Sequence, residues 1–543
     1  MKYKKIYFLL TTLVFASIFF FSCNIITGNS GSTNQNSNNQ QTTTDQKEDP
    51  SEKFENTSNG KNLSSVDFAK ELTIGWNLGN TFDADSETAW GMPETTKEML
   101  HAVKAAGFKT IRIPVSWSKH VSGSNYQIDS KWMSRVTEVV DWALEEGFYV
   151  IINVHHDNYK AGSNFTGFAI STSSEDQTKS KKYLQSVWTQ IATNFKDYGN
   201  KLIFEVLNEP RRKDESNEWD FSSTSDCKPY CDIITSYEHV CINAIRAVQG
   251  NEARYIMVPG YAGSGASQTM LKAYTLPEDT AKDKLLLSVH AYSPFNFAMS
   301  NPDSTFDSDD EAALTSLFSF LKTNYTDKAI GVVMGEASAS NKGNDDERIK
   351  WAKDYFAKAK ESGIPVVLWD NMVETVDGYE GDNKNEYNGE HHGWLHRKSG
   401  KWFFPEIIKA MMDTVGITDY SIPEYVIPTP ENIGWDESKA TNVQVTNMGE
   451  ANWDGTSNKM SKDSFVNAKN GSILKISFGT PTNSCEFVDS SWNYRFNSSS
   501  AETLVDGNDL YIILSNAEAS KWKTTDISIV GANLYVTAVK FQE

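Results

Sequence analysis

The chain is short of basic residues for its length of 543 residues. It has 51 Lys and Arg against 71 Asp and Glu, so its formal net charge is −20. An acidic surface repels phosphate backbones, which argues against a nucleic-acid partner and favours a neutral substrate. Disorder of the whole chain is excluded, because 39% of the residues are hydrophobic and 12% are aromatic.

Cysteine is also scarce, with five residues in the whole chain. Cys227 and Cys231 lie four positions apart in a predicted loop that contains a proline, and no second pair with ligand spacing accompanies them. A zinc site needs such a pair, so free or bridged thiols are favoured. A disulfide would be permitted if the chain is exported, and both states of the pair stay open.

The N-terminus has the pattern of an export signal. Basic residues precede an apolar run from Ile6 to Phe21, which is short of the ~20 apolar residues that a spanning helix needs. Cys23 follows almost directly, as is typical of a bacterial lipoprotein signal in which this thiol carries lipid. We predict a signal peptide over residues 1–23 and a surface protein that meets the membrane only through a lipid on Cys23. An ordinary secretory signal, giving an extracellular protein, is the alternative.

The length requires more than one domain, since a single core usually stops growing near ~250–300 residues. Residues 24–60 are rich in Ser, Thr, Asn and Gln and predict a flexible linker. A central segment over 61–420 alternates apolar runs with helical periods. The Pro-rich stretch 421–432 predicts a stiff linker, and 433–543 predicts a second domain.

Eight short apolar runs of the central segment predict strands. They lie at 72–79, 108–115, 148–155, 202–207, 255–258, 285–290, 330–335 and 365–369. The amphipathic stretches between them predict helices at 94–106, 129–146, 180–198, 232–249 and 345–361. Glycines that end helices precede several strands, namely Gly107, Gly147, Gly199 and Gly363. Continuous apolar strands are typical of a parallel sheet buried on both faces, which favours an α/β fold of the (β/α)8 TIM barrel type. An open doubly wound sheet is the alternative, but no Gly-rich phosphate turn follows the first strand.

The C-terminal segment shows strand alternation, as in Leu474, Ile476 and Phe478, with no clear helical period. It predicts a smaller all-β, sandwich-like domain. Its large aromatic residues predict either core or a binding surface, and core is favoured because a small sandwich needs large side chains. These residues are Trp453, Trp492, Tyr494 and Trp522.

Polar residues at the carboxyl ends of barrel strands converge on one mouth. The residues predicted there are Asn77, Asn80, Arg112, His155, His156, Asp157, Asn208, Glu209, His290, Tyr292, Glu336, Asp370 and Asn371. Glu209 or Glu336 taken alone requires no function, because a glutamate at the end of a strand can simply face water. Two carboxylates at one mouth are what acetal cleavage requires, since one protonates the leaving oxygen and the other attacks the sugar carbon.

The histidine pairs His155-His156 and His391-His392 raise the question of a metal. Adjacent strand residues point to opposite faces, which argues against a shared metal site, so neither metal nor cofactor is expected. Trp369 predicts either core or a flat platform for a sugar ring. Four more tryptophans could extend such a platform, namely Trp76, Trp90, Trp117 and Trp394.

Seven blocks together resemble glycoside hydrolase family 5, the retaining cellulase-type barrels, over roughly residues 65–415. The blocks are Gly75-Trp-Asn-Leu-Gly-Asn-Thr, Ile111-Arg-Ile-Pro-Val, Ile152-Asn-Val-His-His-Asp, Val206-Leu-Asn-Glu-Pro, Val289-His-Ala-Tyr, Met334-Gly-Glu and Leu368-Trp-Asp-Asn. The first block most resembles the endoglucanase and xyloglucanase subgroup.

The resemblance implies a role for each matching residue. Glu209 matches the acid/base, Glu336 the nucleophile, and Asn208 the residue that bonds the sugar 2-hydroxyl. The remaining catalytic matches are Arg112 and Tyr292, which hold the nucleophile, and His155 and His290, which line the site. The matches implied to bind substrate are Trp369, His156, Asn80 and Asn77. The C-terminal domain looks like a carbohydrate-binding accessory module without a recognisable ligand motif.

The implied activity is a retaining endo-β-1,4-glucanase that acts as a monomer on plant β-1,4-linked polysaccharide. Retention predicts carboxyl groups ~5–5.5 Å apart, and the charge of Glu336 is expected to raise the pKa of Glu209. Alternatives are the same chemistry on xyloglucan, xylan, mannan or mixed-linkage glucan, and a metal-dependent hydrolase. A non-catalytic glycan-binding lipoprotein is a further alternative, which the presence of both glutamates disfavours.

Overall fold

The computed structural model describes residues 62–299, 302–373, 390–426, 428–453, 455–482, 484–498 and 502–543. The predicted signal peptide over 1–23 and the predicted linker over 24–60 lie outside these residues. Among the helices of the described residues, none combines the length and the apolar character needed to cross a membrane.

Eight parallel strands close into a barrel, which confirms the predicted fold class. The strands are β1 Ile74–Asn77, β2 Thr110–Ile113, β3 Tyr149–Asn153, β4 Leu202–Glu205, β5 Ile256–Ser264, β6 Leu285–His290, β7 Gly331–Ala337 and β8 Val366–Leu368. Hydrogen bonding joins them in the order β1-β8-β7-β6-β5-β4-β3-β2, with β1 between β8 and β2. Nearly all of their residues are buried, as the continuous apolar runs require.

Helices surround the barrel. They are α1 Ser65–Leu72, α2 Lys97–Ala105, α3 Ser130–Glu145, α4 Ser174–Asn194, α5 Thr224–Arg246, α6 Gln268–Ala273, α7 Ser308–Asn324, α8 Asp345–Glu361 and α9 Pro405–Val415. Smaller elements are a helical turn Phe295–Ala298 and the hairpins Val121–Ser122/Gln127–Ile128 and Leu395–His396/Lys401–Trp402. Side chains such as Ser64, Thr96 and Asp129 accept hydrogen bonds from the first turns, which fixes where these helices begin.

Two expectations about the helices need correction. Gly107, Gly147 and Gly363 take positive φ after their helices, but Gly199 does not and lies five residues beyond the end of α4. The helix predicted to begin at 232 begins at Thr224, so Cys227 and Cys231 are helical rather than in a loop. Pro229 suggested a loop, but Ser223 caps this helix, and the missing N–H of one proline removes a single helical hydrogen bond.

The two cysteines of α5 are free thiols in this structure. Their sulfur atoms lie 3.3 Å apart, well beyond the ~2.05 Å of a disulfide bond. Both side chains are fully buried in the main hydrophobic core. Their closeness comes from spacing on the helix, since residues i and i+4 share a face.

Helix α1 closes the amino-terminal end of the barrel. Phe68 and Leu72 pack against side chains that point into the barrel interior, including Ile151 and Leu286. The hydroxyl of Ser65 also accepts a hydrogen bond from the backbone of Gly331, at the start of β7. The chain therefore enters the barrel at the pole opposite the carboxyl ends of the strands.

The C-terminal part forms two packed antiparallel sheets, as expected. Its strands are β9 Thr441–Asn442, β10 Val445–Thr446, β11 Glu450–Ala451, β12 Lys459–Met460, β13 Ile473–Phe478, β14 Glu486–Asp489, β15 Arg495–Asn497, β16 Glu502–Asp506, β17 Asp509–Ile513, β18 Ile527–Val530 and β19 Leu534–Gln542. One sheet has the order β9-β19-β13-β17-β16, with β11 also on β19, and the other has the order β10-β12-β18-β14-β15. We call this part the β-domain.

Three details of this region differ from expectation. A short helix, α10 Asn516–Trp522, interrupts the strands, and a capping box of Ser515 and Glu518 begins it. Trp522 is core, but Trp453 and Trp492 are 49% and 39% exposed, so the core prediction is wrong for them. In the predicted stiff linker, the backbone around residues 423–425 pairs with Trp402 and is thereby held in place.

Candidate active site

The barrel interior consists of an apolar layer with a layer of polar side chains above it. The apolar layer consists of Ile151, Ile203, Met257, Leu286, Val333 and Val367. Nearer the carboxyl ends, on the same inward face, lie side chains that we call the polar layer: Asn77, Arg112, Asn153, Glu205 and Ser288. All five are fully buried. Because residues i and i+2 of a strand share a face, the polar layer follows directly from the strand register.

Arg112 is the centre of the polar layer. Its guanidinium lies 2.7 Å from Glu205 Oε2 and 2.7 Å from Glu336 Oε1, and it donates to Asn77 Oδ1 at 2.9 Å and Asn208 Oδ1 at 2.7 Å. Burial alone would lower the pKa of Arg112, but the charges of Glu205 and Glu336 outweigh it and raise the pKa. A permanently charged arginine thus holds one end of the nucleophile candidate.

Glu205 is a central member of the site that sequence reasoning missed. It accepts hydrogen bonds from Arg112, from Asn153 at 2.9 Å and from Ser288 at 2.6 Å. Burial would raise its pKa, but Arg112 above all lowers it to about 2. The signal was available, because a charged residue in the middle of the apolar run 202–207 needs a buried partner.

Glu336 lies near the carboxyl end of β7, and both of its carboxylate oxygens have partners. Arg112 contacts Oε1, and the hydroxyl of Tyr292 donates to Oε2 at 2.8 Å. These are the two contacts that the resemblance implied for a nucleophile. They hold the carboxylate in one orientation, which is what attack along a fixed line requires.

Glu209 lies beside Glu336, and His290 contacts both. His290 Nδ1 is 2.9 Å from Glu209 Oε1 and 3.6 Å from Glu336 Oε2. Carboxylate oxygens of the two glutamates lie within 4.8 Å of each other. The two acids predicted at separate strand ends are therefore brought together at one mouth.

The expected rise in the pKa of Glu209 is wrong. Burial would raise this pKa, but the hydrogen bond and charge of His290, with the charge of Arg211, outweigh burial and lower it. For His290, burial would lower the pKa, but the carboxylates of Glu336, Glu205 and Glu209 raise it to about 9. The carboxylates thus favour the protonated form of His290, whose Nδ1 then donates to Glu209 Oε1 in the free protein.

This pKa predicts how stability depends on pH. A raised folded-state pKa means that the stabilisation by His290 is complete below its ordinary pKa of 6.5 and is lost as pH rises through about 9. The full loss is on the order of 3 kcal/mol. Urea unfolding across this pH range should show a smaller fall in unfolding free energy for His290→Gln than for the parent. Parallel curves for the two proteins would contradict the assignment of the proton.

Glycine at position 335 makes room for His290. A Cβ built there would lie 3.1 Å from His290 Nε2 and 3.2 Å from Ser288 Oγ. Any larger residue would push the imidazole away from the two glutamates. The glycine in the Met334-Gly-Glu block is thus explained by a close approach of a side chain to the backbone.

His155 and Trp369 form one wall of the mouth. Their rings are parallel, with centroids 6.0 Å apart, and Asn153 Nδ2 lies 3.0 Å from His155 Nδ1. An amide nitrogen only donates, so Nδ1 accepts and Nε2 carries the ring proton. Burial, reinforced by neighbouring positive charge, lowers the pKa of His155 well below its usual value. A Cβ at Gly79 would lie 2.9 Å from the Trp369 indole, so the first block leaves space for this ring.

His156 and Asn80 lie further along the same mouth, around Asp83. Asp83 accepts a hydrogen bond from the backbone of Asn80 at 3.0 Å and lies 4.0 Å from His156 Nε2. Burial above all raises the pKa of Asp83 to about 7. Trp90, 49% exposed, has its ring 5.8 Å from that of His156 and offers an open aromatic face.

The expected separation of His155 and His156 onto opposite faces is wrong. Both follow the end of β3, and their rings are 4.4 Å apart. With Asp83 they offer three ligand atoms within 4.8 Å, as do Glu209, His290 and Glu336 together. In the group of Asp83, His155 and His156, however, His155 Nδ1 accepts a hydrogen bond from Asn153 and its Nε2 carries the ring proton. His155 in this tautomer therefore offers no electron pair to a metal. The absence of a metal stays a prediction.

Other predicted residues take structural positions. Asn77 has no exposed surface and bonds Arg112 and the backbone of Gly335, so its predicted sugar contact is replaced by a positioning role. Trp76, Trp117 and Trp394 are fully buried and form core rather than a platform. The site also contains Arg211, which was not predicted.

Arg211 links the acid/base candidate to an exposed aromatic. Its guanidinium lies 3.6 Å from Glu209 Oε2 and 3.0 Å from Glu218 Oε1. It also stacks 3.8 Å from the ring centroid of Trp219, which is 54% exposed. The second wall of the mouth is therefore cationic and aromatic beside Glu209.

Comparison with known proteins agrees with this geometry. Residues 71–374 match the cellulase family, glycosyl hydrolase family 5. A cellulase/esterase, CelE, from Acetivibrio thermocellus is 39% identical over 374 residues, which are 68% of this chain and 42% of that protein.

Solved structures with the same barrel include two with bound oligosaccharides. A broad-specificity endoglucanase from Ruminococcus champanellensis with bound cellotriose has a TM-score of 0.58 at 36% identity, and covers 65% of this chain and 99% of that one. A lichenase from Caldicellulosiruptor in complex with cellotetraose has a TM-score of 0.58 at 37% identity, covering 65% of this chain and 96% of that one. In each, the aligned part falls short of the full length of this chain.

Proposed function

The chain belongs to glycosyl hydrolase family 5 and is a glycoside hydrolase; from this we propose that it is a retaining endo-β-1,4-glucanase. The observation that carries the proposal is the approach of Glu209 and Glu336, since one carboxylate oxygen of each lies within 4.8 Å of one oxygen of the other. Inverting enzymes hold their carboxyl groups ~6.5–9.5 Å apart to leave room for water, and retaining ones about 5–5.5 Å apart. Action as a monomer is part of this proposal, and the two glutamates with Arg112, Tyr292 and His290 need no residue from a second copy.

In the first step Glu336 attacks the anomeric carbon and the glycosidic bond breaks. Its charge is available because Arg112 and Tyr292 stabilise the ionised carboxylate rather than a protonated one. The proton shared by Glu209 and His290 passes to the departing oxygen through Glu209. Glu209 is the member that reaches the mouth, with 16% of its side chain exposed against 3% for His290.

In the second step a water molecule attacks the anomeric carbon while Glu209 accepts a proton from it. The bond between the sugar and Glu336 breaks, and Glu336 leaves as a carboxylate. Two displacements at the same carbon retain the anomeric configuration. Asn208 is placed to assist both, because its Oδ1 accepts from Arg112 and its amide nitrogen is left as the end that donates to a sugar hydroxyl.

A β-glucan chain as substrate is supported by the aromatic walls of the mouth. Trp90 and Trp219 expose about half of their surface, and the ring of Trp369 is parallel to that of His155. Flat rings suit the apolar faces of equatorially substituted pyranoses, which β-1,4-linked glucose presents throughout. The related structures that bind cellotriose and cellotetraose support the same ligand class.

Mixed-linkage β-glucan is the second candidate substrate. One structural relative, at 37% identity, is described as a lichenase, and another as having broad specificity. The same two carboxylates serve both polymers, because the bond that breaks is a β-glucosidic bond in each. Preference between them depends on the shape of the walls rather than on the reacting pair.

A panel of purified polysaccharides tests the proposal. Carboxymethyl-cellulose, mixed-linkage glucan, xyloglucan, xylan and mannan are assayed for new reducing ends and ranked by kcat/KM. We expect the highest values on the two glucans, and a first product in the β configuration by proton NMR. No activity on any β-glucan would leave the glycan-binding alternative, and an α product would remove the double displacement.

We propose further that the chain is exported and anchored by lipid on Cys23. The support is the sequence pattern of residues 1–23, followed by a polar linker that would hold the enzyme away from the membrane. Expressed in a bacterium with lipoprotein processing, the parent should fractionate with membranes and incorporate labelled fatty acid. Cys23→Ala should do neither. Equal behaviour of the two proteins would favour the ordinary secretory signal.

A further inference from the structure

The β-domain contains a cleft of about 660 Å³ at one end of its two sheets. Three connections between the sheets meet there, namely those from β11 to β12, from β13 to β14 and from β18 to β19. The pairing of Glu486 with Val530 and of Phe478 with Val536 places these strand ends at the same edge of the sandwich. The cleft is therefore built by several strands of the domain rather than by one loop.

The surface of this cleft is aromatic and polar. Trp453 lines it and is 49% exposed, although burial of this ring would stabilise so small a domain. Hydroxyl and amide side chains supply much of the polar lining: Thr480, Thr482, Ser484, Asn497 and Asn533. Such groups both donate and accept hydrogen bonds, as a ligand rich in hydroxyl groups requires.

Among the described residues that line the cleft, the one carboxylate is paired with a guanidinium. The carboxylate of Glu486 receives two hydrogen bonds from Arg495, one of them at 2.9 Å. The same guanidinium lies 6.0 Å from the ring centroid of Trp453 and helps to hold that ring in place. A phosphate or a metal ion would need an unpaired charge of one sign, whereas a neutral ligand does not.

We propose that this cleft is a second binding site for a single β-glucan chain. The volume falls within the ~300–1,000 Å³ typical of ligand sites, and the concave shape suits one chain rather than the flat face of a crystal. Trp453 stacks on a sugar ring, and the hydroxyl and amide groups around it bond the sugar hydroxyls. The identity of the polymer as β-glucan rests on the function proposed for the barrel.

The chain offers a matched control in Trp492. It lies in the turn between β14 and β15 of the same domain and is 39% exposed, but it does not line the cleft. Its replacement removes the same type of side chain from the same domain, and because its indole lies beside Gly455, in the connection that carries Trp453, a thermal melt matching that of the parent is required of this control. If glucan binds through any exposed tryptophan, both Trp453→Ala and Trp492→Ala should lose affinity. If glucan binds in the cleft, only Trp453→Ala should.

The test measures binding to the full chain with hydrolysis blocked by Glu336→Gln. Calorimetric titration with cellohexaose should give two sites per chain. Adding Trp453→Ala should weaken one of them at least about tenfold, as for a central aromatic anchor. Adding Trp492→Ala should change neither site. One site in the parent, or equal loss from both tryptophan variants, would overturn the proposal.

Activity separates failure of this inference from failure of the proposed function. With Glu336 intact, Trp453→Ala should keep the kcat/KM of the parent on an aryl β-cellobioside, which is too short to reach both sites. It should lose several-fold in rate on dilute amorphous glucan, whose separate chains can enter the cleft, because the local concentration of the polymer is reduced. If the parent hydrolyses glucan and Trp453→Ala changes neither rate, the second site is overturned while the proposed function stands.

Discussion

Replacing Glu336 by Gln is expected to lower kcat by roughly 10⁵-fold or more, comparable to loss of a nucleophile in other covalent enzymes. The amide has nearly the same shape but no charge with which to attack the anomeric carbon. Tyr292 and Arg112 still contact the side chain, so the fold and the affinity for substrate should change little. Initial rates on β-glucan, with a thermal melt of each protein, measure the effect.

The matched control is Glu218→Gln. Glu218 is also a carboxylate of the site and lies 3.0 Å from Arg211, but it does not contact Glu336. Its variant should stay within about tenfold of the parent, as for loss of a partly buried charge pair. In Glu336→Gly the freed space admits azide, which should restore turnover and give the α-glycosyl azide. Activity of Glu336→Gln near that of the parent would remove the covalent mechanism.

Replacing Glu209 by Ala is expected to lower kcat on β-glucan by about 10²–10⁴-fold, the usual contribution of general acid–base catalysis. The loss should depend on the leaving group. A dinitrophenyl β-cellobioside needs no proton to depart, so its first step should remain fast and the second step should become limiting. Azide should then accelerate turnover and give the β-glycosyl azide, because it replaces water without needing a base.

His290 supplies the control for this variant. If the shared proton resides on His290, then His290→Gln should also slow the cleavage of unactivated glucan, yet azide should not rescue it, because Glu209 still blocks the space. An azide effect of equal size in both variants would contradict the assignment of Glu209 as the group that reaches the leaving oxygen. A loss in Glu209→Ala that is independent of the leaving group would do the same.

The barrel could be predicted because its signals are local. Each strand lies in a mainly apolar run, and a glycine at positive φ closes four of the eight described helices that follow barrel strands, namely α2, α3, α8 and α9. The glutamate pair could be predicted for the same reason, since strand ends of one barrel meet by topology. Neither conclusion required knowledge of a distant contact.

What escaped prediction depends on partners far apart in the sequence. Glu205 looked like one residue of an apolar run, and its role exists only because Arg112, 93 positions earlier, reaches it inside the barrel. The pKa of Glu209 was reversed by His290, 81 positions away, for which only a place in the lining of the site was expected. At Glu205 and Glu209 the neighbouring positive charge outweighs burial and sets the sign of the pKa shift, and which charge is a neighbour is a property of the fold.

Exposure of individual tryptophans was likewise beyond the sequence. Trp76 and Trp90 had the same two interpretations, yet the first donates to Asp370 with no exposed surface and the second is half exposed. The same uncertainty applied to Trp453 and Trp522. An aromatic side chain stabilises a core and a binding surface by the same burial of area, so its type does not decide between them.

Closure of the amino-terminal end of the barrel by α1 also decides which end of the barrel stays open. The hydroxyl of Tyr255 and the amine of Lys284 both donate to the carbonyl of Leu63, beside the first residues of β5 and β6. The first described residues are thus held at the pole remote from Glu209 and Glu336. A long polymer can therefore approach the two glutamates without meeting the segment that leads into the barrel.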